Sequence, residues 1–368
     1  MANYSKKSAE KIISVILTFG MIIGIFSCMS GLSAFAIDNT PKVAGETTVT
    51  AAPAAEQVHN TSDTHVHCVC GGLSEGATAA NGHTCDATAS WSPVGTFAEL
   101  QAALATNVTA AGEYYYYLTA DITATGTISL PGVSGAHINL CLNGWTISGT
   151  PARLFRMFNI TAEDLTFSIT DCQVTPGTIS NTRVNLGTNQ GSFFWATGGN
   201  IKNSALNIYN GIIEVPNGGN YADGGTISAQ ASGVTVNVYG GTVKAPLRAK
   251  IGGAIYAAGN INIHGGTVIG TKATDTADST FGIAGATAKG SLHGGSIYVR
   301  GKFTMTGGTV KGGSVETTYS TDSYAYGGNI RADGDVEITG GTVEGGSVKS
   351  TKNTQGSVGG NIYFAGSN

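Results

Sequence analysis

Apolar and polar residues alternate one by one along much of the chain. In the stretch that begins at Gly294, Phe303 and Met305 fall on one side of an extended strand, and the threonines at positions 304 and 306 fall on the other. Apolar residues at helical spacing do not occur within this stretch. The alternation therefore predicts short β-strands that bury one face.

The same pattern recurs at a fixed interval. GGSIYVRGKFTMTGGTVKGG begins at Gly294, GGNIRADGDVEITGGTVEGG begins 33 residues later at Gly327, and a third copy opens with GGNIY at Gly359. Repeats of this length that bury one face only against their neighbours are typical of a solenoid. Each copy holds three short strands bent into one another at glycines. Copies stacked in register predict an all-β fold, a parallel β-helix of about 33 residues per turn.

The register can be extended upstream over seven turns. The aligned inner pairs are Leu140/Leu142, Phe167/Ile169, Leu206/Ile208, Val236/Val238, Ile261/Ile263, Phe303/Met305 and Val336/Ile338. Between them, three outward asparagines (Asn207, Asn237 and Asn262) fall on successive turns, where their amides are expected to form a chain of hydrogen bonds.

Upstream of the strands, one segment has a helical pattern. Thr96 and Glu99 have the spacing of a capping box, and Phe97, Leu100 and Leu104 form an apolar stripe. We expect this helix to cover the amino-terminal end of the core, because a solenoid needs a cap there.

The chain divides into five parts. Residues 1–36 have the basic start, apolar run and small-residue site of a signal peptide, with cleavage after Ala36. Residues 37–60 are a flexible Thr/Ala/Pro-rich spacer, 61–90 a Cys/His-rich segment, and 91–130 the amino-terminal cap. Residues 131–368 are the β-helix, which stops partway through a repeat. Further turns or another domain are therefore expected to follow.

The amino-acid composition and net charge argue against some classes of function. Glycine supplies 55 of the 368 residues and charged residues only 11%, which suits a stacked β-protein with many corners. Removal of the signal peptide takes away three lysines and one glutamate, so the mature chain is more acidic than the whole chain with its net charge of −4. This balance argues against nucleic-acid binding and against attraction to anionic lipid. The mature chain contains no further apolar run long enough to span a membrane.

The Cys/His-rich segment carries candidate metal ligands. Cys68, Cys70, His83 and Cys85 have side chains that suit a structural tetrahedral zinc site. The alternative is a disulfide such as Cys70–Cys85, because an exported protein meets an oxidising compartment. A disulfide between Cys141 and Cys172, on adjacent turns, is a further option, although the alignment puts them in different columns.

Two outward columns carry aromatic rings that are candidates for carbohydrate contact. One contains Tyr209, Tyr239 and His264, and the other contains Lys202, Ser228, Tyr256, Tyr298, Arg331 and Tyr363. Rings on a flat sheet can stack against sugars, but they can also pair with each other and stabilise the sheet without any ligand.

No catalytic residue is predicted. Asp333, Asp335 and Glu337 alternate on one face and could form a catalytic or calcium cluster. The alignment favours ion pairs between adjacent turns instead, which join Asp333 to Arg300, Asp335 to Lys302 and Glu344 to Lys311. The aligned columns also carry no Asp or Glu on two neighbouring turns, as paired catalytic acids would require.

Four sequence elements together resemble a known group of proteins. These are HVHCVCGG from His65, YYYLTADI from Tyr115, LCLNGWTI from Leu140 and the FTMTGGTVKGG copies. They are similar to secreted or wall-attached proteins of Gram-positive bacteria with right-handed, pectin-lyase-like β-helices. The resemblance implies a secreted or surface-displayed scaffold that contacts cell-wall or host glycans. The alternative it implies is a polysaccharide lyase or glycoside hydrolase whose active site lies outside the recognisable repeats.

Overall fold

The structure is a computed structural model that describes residues 65–70, 89–183, 191–216, 221–246, 249–275, 292–317, 325–350 and 357–366. The predicted signal peptide, the site after Ala36 and the spacer therefore lie outside the described residues. Among those described, no helix is both long and apolar enough to cross a membrane.

Short strands make up almost all of the regular structure in these ranges. The first part of the chain contributes β1 (Val66–His67), β2 (Ala89–Ser90), β3 (Ser92–Val94), β4 (Gly112–Leu118), β5 (Ile122–Ala124), β6 (Ile128–Ser129), β7 (Ala136–Cys141), β8 (Thr146–Gly149), β9 (Phe155–Phe158), β10 (Thr161–Glu163), β11 (Thr166–Thr170), β12 (Thr178–Asn181), β13 (Phe194–Thr197), β14 (Asn200–Lys202), β15 (Ser204–Ile208), β16 (Ile212–Glu214), β17 (Tyr221–Asp223) and β18 (Ile227–Ala229). The second part contributes β19 (Val234–Val238), β20 (Thr242–Lys244), β21 (Ala249–Ile251), β22 (Ile255–Ala257), β23 (Ile261–Ile263), β24 (Thr267–Ile269), β25 (Lys272–Asp275), β26 (Leu292–His293), β27 (Ile297–Val299), β28 (Phe303–Met305), β29 (Thr309–Lys311), β30 (Ser314–Thr317), β31 (Ala325–Tyr326), β32 (Ile330–Ala332), β33 (Val336–Ile338), β34 (Thr342–Glu344), β35 (Ser347–Ser350), β36 (Ser357–Val358) and β37 (Ile362–Phe364).

Three long parallel sheets form the walls of the solenoid. Sheet A has the order β3-β4-β7-β11-β15-β19-β23-β28-β33, sheet B the order β5-β8-β12-β16-β20-β24-β29-β34, and sheet C the order β6-β9-β13-β18-β22-β27-β32-β37. Each full turn gives one strand to each sheet. Smaller sheets form at the corners, and only the pair β1–β2 is antiparallel among the described strands. The predicted parallel β-helix is confirmed.

The core lies inside the three walls. In sheet A, Ile261 pairs with Phe303, and Met305 pairs with both Ile263 and Ile338. The inner residues of sheet A are fully buried from Ile138 through Met305. The side chains predicted to be vertical neighbours are therefore neighbours, and they supply the apolar burial that stabilises the fold.

One part of the predicted register is wrong. Phe167 pairs with Ile138, and Ile169 pairs with Leu140, so the pair Leu140/Leu142 was placed two residues too late. In later turns the last inner residue of sheet A lies four positions before sheet B begins, as Ile208 does before Ile212. The corner after β7 is longer than that, because it turns through Asn143 and Gly144 in left-handed conformations with φ of 50° and 77°. A shift of two residues keeps every side chain on its predicted face.

The length of a turn varies widely. Hydrogen-bonded partners on adjacent strands of sheet A are 39 residues apart at Ser168–Asn207, 25 at Asn237–Asn262 and 42 at His264–Thr306. The repeat length of 33 recurs between Ser296 and Asn329. The additional residues of the longer turns leave the walls at the corners, as β10 and β14 do in a two-stranded side sheet.

The predicted helix covers the amino-terminal end. Helix α1 (Phe97–Gln101) starts after Thr96, whose side chain accepts a hydrogen bond from the Glu99 amide while the Glu99 carboxylate accepts one from the Thr96 amide. A π-helical turn, Ala102–Thr106, continues it. Leu100 and Leu104 are fully buried against the first strands. The capping box and the covering role are both confirmed.

Outward polar residues connect the turns of sheet A. The Asn237 side-chain amide donates to Asn207 Oδ1, and the Asn262 amide donates to Asn237 Oδ1, each at 2.8 Å. The predicted asparagine chain is therefore confirmed.

The predicted charge pairs are present in a different pattern. The closest ion pairs join Lys302 Nζ to Glu337 at 2.6 Å and Arg331 Nε to Asp333 at 2.8 Å. Asp333 and Asp335 lie near enough to their predicted partners, Arg300 and Lys302, to attract them electrostatically. Thr304 and Glu337 are cross-strand neighbours in sheet A. This pairing places the Glu337 carboxylate within reach of Lys302, two residues before Thr304.

Candidate metal centre and aromatic faces

Four side chains converge on the outer surface of sheet A near its amino-terminal end. His65 and His67 come from the segment around β1, Cys141 ends β7, and Cys172 follows β11. One ligand atom from each lies within 4.8 Å of all the others. The four residues are between 0% and 7% exposed, so the group is closed to solvent.

The sequence places these residues through period-two alternation. His65 and His67 are two apart in an extended segment, so their side chains share one side. Cys141 pairs with Thr170 across the sheet, and Cys172 lies two residues beyond Thr170. The two thiols therefore emerge on the same outer side, with their sulfurs 3.6 Å apart.

Aromatic packing and hydrogen bonds fix the histidines. The His67 ring stacks on Trp91 with ring centroids 4.4 Å apart, and the Trp91 indole N–H donates to the His67 carbonyl at 2.9 Å. The His65 ring stacks on Tyr117 at 4.1 Å. His67 Nδ1 lies 2.6 Å from the Cys68 carbonyl, which can only accept, so Nδ1 carries the proton. This hydrogen bond leaves Nε2 as the His67 nitrogen that faces the cluster, as in a metal-bound histidine whose other ring nitrogen donates to a carbonyl.

The cysteines differ in their proton affinity. Complete burial raises the pKa of Cys141. The pKa of Cys172 is lowered, because the Cys141 thiol donates a hydrogen bond to its sulfur and His65 and His67 also face it. The His65 Nε2 atom lies 3.8 Å from the Cys172 sulfur. The arrangement favours a thiolate at Cys172, and a thiolate is the form of cysteine that binds metals.

These residues differ from the ligand set predicted from the sequence. Cys68 is disulfide-bonded, so its sulfur is not available as a thiolate ligand. Cys70 is half-buried and is not part of the cluster, and His83 and Cys85 lie outside the described residues. The structure instead brings the two other histidines of the Cys/His-rich segment to two cysteines of the solenoid. The available signals were the His-x-His spacing and the two cysteines on adjacent turns.

The first aromatic column forms a stack along sheet A. The Tyr209 and Tyr239 rings lie 4.7 Å apart with planes 6° from parallel, and Tyr239 and His264 lie 4.8 Å apart at 11°. His264 Nδ1 continues the row with a 3.1 Å hydrogen bond to Thr306. Tyr209 is only 9% exposed, and its burial raises its pKa. Because the rings cover one another's faces, a sugar reaches mainly their edges.

The second aromatic column lies on the outer face of sheet C. Tyr256 pairs with Tyr298, Tyr298 with Arg331, and Arg331 with Tyr363. The Tyr256 and Tyr298 rings are 5.3 Å apart and tilted by 40°. Burial, together with a hydrogen bond to the Asp333 carboxylate, raises the pKa of Tyr298.

The predicted membership of this column is wrong at its amino-terminal end. Lys202 belongs to β14 in the side sheet, where it pairs with Glu163. The residue that pairs with Ser228 is Trp195, and Trp195 pairs in turn with Arg156. The column that the structure shows contains Ser129, Arg156, Trp195, Ser228, Tyr256, Tyr298, Arg331 and Tyr363. Arginines and aromatic rings thus recur along one face of the solenoid.

Comparisons with known proteins add no family to this description. No protein-family model matches the chain, no curated protein matches it, and no solved structure matches it.

Proposed function

We propose that the protein is a secreted or surface-displayed β-helix scaffold in which a structural zinc ion ties the Cys/His-rich segment to the outside of the solenoid. The observation that carries this proposal is the closed cluster of His65, His67, Cys141 and Cys172. Its export rests on the sequence of residues 1–36, with cleavage after Ala36, and attachment to a cell wall rests on the resemblance described above.

The donor set fits zinc. Two imidazole nitrogens and two sulfurs are ligands that Zn²⁺ accepts in tetrahedral structural sites. With zinc–sulfur bonds of about 2.3 Å, two sulfurs of a tetrahedron lie about 3.8 Å apart, and a sulfur and a nitrogen about 3.5 Å apart. The corresponding distances here are 3.6 Å for Cys141–Cys172 and 3.8 Å for Cys172–His65.

The ligand atoms, which lie within 4.8 Å of one another, must move when the ion enters. The Nε2 atoms of His65 and His67 are 2.8 Å apart, shorter than the about 3.3 Å expected of two nitrogens on one zinc ion. Separating them requires only small ring movements. The hydrogen bond from His67 Nδ1 to the Cys68 carbonyl can persist in the bound state.

The site is suited to a structural role. Four protein ligands complete a tetrahedron and leave no position for substrate or water. The ligands come from positions far apart in sequence, since His65 and Cys172 are separated by 107 residues. A shared ion therefore holds the segment around β1 against sheet A.

Metal analysis of the full chain, expressed in zinc-containing medium and purified without chelator, tests this proposal. We expect one zinc per chain, and Co²⁺ substitution should give the absorption of tetrahedral cobalt with thiolate ligands. Cys141→Ala/Cys172→Ala should lose the ion, whereas Cys70→Ala, the matched cysteine control, should keep it.

Other outcomes would contradict the proposal. One is a metal-free wild type whose intact mass shows a Cys141–Cys172 disulfide. Another is loss of zinc in His83→Ala/Cys85→Ala with retention in Cys141→Ala/Cys172→Ala, which would restore the ligand set predicted from the sequence.

A second function, contact with cell-wall or host glycans, is favoured by the rows of rings on the outer walls. Tyr209, Tyr239 and His264 form one row, and Tyr256 and Tyr298 lie in the other. A glycan array with the wild type and with Tyr239→Ala and Tyr298→Ala tests it. Weaker binding by either variant supports a sugar surface. Unchanged binding would indicate that the rings stabilise the sheet and do not contact sugars. Release of unsaturated or reducing sugar ends would support a lyase or hydrolase instead.

A further inference from the structure

A basic and aromatic patch lies at the amino-terminal end of sheet C, away from the metal centre. It consists of Arg153, Arg156, Phe158, Arg183 and Trp195, and we call it the arginine–tryptophan patch. The Arg153 guanidinium carbon lies 3.8 Å from the centroid of the Trp195 ring. The Phe158 and Trp195 rings are 5.2 Å apart at 20°, and the Arg156 guanidinium lies 5.3 Å from the Phe158 ring.

Arg153 lies close enough to both Arg156 and Arg183 to be repelled by them. Burial lowers the pKa of Arg153, and the positive charges of Arg156 and Arg183 lower it further. Ion pairs elsewhere in the described ranges join lysine, arginine or histidine to a carboxylate, but none of them includes Arg156 or Arg183. Arg156 Nε donates instead to the neutral Ser129 hydroxyl at 2.8 Å. The patch thus concentrates positive charge on a chain whose net charge is −4.

The patch also presents an apolar surface to solvent. Phe158 is 41% exposed, a high value for a large apolar side chain in this protein. Its ring is fixed by Trp195 behind it, and Trp195 is held in turn by Arg153. An exposed ring between guanidinium groups combines a stacking surface with donors for carboxylate or sulfate oxygens.

We propose that the arginine–tryptophan patch binds an acidic polysaccharide, one that carries carboxylate or sulfate groups on its sugar rings. The charge of the patch is complementary to such a polymer, and Phe158 can contact the apolar face of a sugar. The proposal deepens the glycan-contact part of the proposed function and is independent of the zinc ion.

Binding of the full, metal-loaded chain to defined polymers tests the proposal. Immobilised heparin presents sulfates, polygalacturonate presents carboxylates, and a neutral glucan of similar length presents neither. We expect the wild type to bind at least one acidic polymer, with affinity that falls as sodium chloride rises, and not the neutral glucan. Arg156→Ala/Arg183→Ala should weaken binding at least about tenfold, since each lost charged hydrogen bond accounts for a change of this size.

Matched variants separate this site from overall charge. Lys302→Ala/Lys311→Ala removes two positive charges from other walls and should leave the affinity within about twofold, because screened long-range charge contributes little. Phe158→Ala should weaken binding while preserving its salt dependence. Thermal melts of each variant report whether the fold is retained.

The following results would overturn the proposal. One is equal binding by Arg156→Ala/Arg183→Ala and Lys302→Ala/Lys311→Ala. The other is binding of single-stranded DNA of matched charge as tight as that of the acidic polysaccharides. Binding of the neutral glucan that is lost in Tyr239→Ala or Tyr298→Ala would contradict this inference alone and would leave the proposed glycan contact standing.

Discussion

Two outer faces built from the same two turns have opposite characters. Cys141 and Arg156 belong to one turn but lie on different walls, sheet A and sheet C. Cys172 and Trp195 lie on the same two walls in the next turn. On sheet A the segment around β1 covers the surface, and His67 and Cys141 are 0% exposed. At the amino-terminal end of sheet C the surface is open, and Phe158 is 41% exposed. The repeat determines which side chains point into the core. Whether an outward side chain is exposed to solvent depends on the segment that packs over it.

The difference has an energetic consequence. Polar groups enclosed under a cover must find partners, because an unpaired buried polar group costs free energy. Metal ligation satisfies four such groups at once. Polar groups on an open wall keep water as a partner and remain available to a ligand. Substitutions on the covered face should therefore change stability, and those on the open face should change binding.

The largest expected effect is on the covered face. Cys141→Ala/Cys172→Ala should lower the free energy of unfolding of the amino-terminal region by about 4 kcal/mol when free zinc is about 1,000 times its Kd, because the variant no longer gains metal-binding energy. Urea titrations followed by tryptophan fluorescence, with and without EDTA, measure this. EDTA should bring the wild type close to the variant. The control variant Arg156→Ala/Arg183→Ala, on the open face, should change the free energy of unfolding by no more than about 0.5 kcal/mol. A loss as large as that of the cysteine variant would contradict the contrast between the two faces.

A smaller effect is expected where the cover contacts the histidines. Trp91→Phe keeps an aromatic ring on His67 but removes the indole hydrogen bond to the His67 carbonyl. The free energy of unfolding should fall by about 1 kcal/mol. The same urea titration, read by circular dichroism, measures it. An unchanged midpoint would show that the indole N–H does not help to hold the cover.

One outward polar residue on each wall provides a matched pair for comparing hydrogen bonding on the two faces. Asn237→Ala breaks the amide chain on both sides and should cost about 1 kcal/mol. Ser228→Ala on sheet C should be neutral or slightly stabilising, because the Ser228 hydroxyl is buried and has no hydrogen-bond partner in the described part of the chain. Thermal melts of the two variants test the difference. Equal destabilisation would contradict it.

The smallest effect is a pH dependence at His137, an outward residue of sheet A. Burial lowers the pKa of His137, but Glu113 and Asp164 raise it more strongly, so the folded-state pKa lies above the usual value near 6.5. The resulting stabilisation is fully present below the unfolded-state pKa and is lost as the pH rises through the folded-state pKa. Melting temperatures between pH 6 and pH 9 should therefore fall less for His137→Gln than for the wild type. Parallel curves would contradict this.

Sequence reasoning succeeded where the relevant contacts repeat. Period-two alternation identified the inner residues and the asparagine chain, and the Thr96/Glu99 spacing identified the cap, because these features depend on neighbours in sequence or on the next turn. It failed where a turn departs from the repeat. The corner after β7 turns through Asn143 and Gly144, and the Asp171 carboxylate of the next turn accepts a hydrogen bond from the Gly144 amide there, so no glycine pair marks this corner.

The metal cluster and the arginine–tryptophan patch were missed for the same physical reason. An error of two residues in one turn placed Cys141 and Cys172 in different columns, and the assignment of Lys202 of the side strand β14 to the sheet C column left Trp195 out of it. The docking of His65 and His67 on sheet A is not part of the repeat, so no periodicity in the sequence encodes it. The predicted ligand set was therefore drawn from residues close in sequence.

The unequal turns also bear on how this chain can be altered. Neighbouring turns of 25 and 42 residues lie in one uninterrupted ladder, because surplus residues leave at the corners and the walls keep their pairing. The corners therefore accommodate turns that differ by 17 residues while the wall strands keep their pairing. We expect foreign peptides grafted between β25 and β26, two strands of the side sheets, to be displayed at a fixed height along the solenoid, so that the protein can space attached groups.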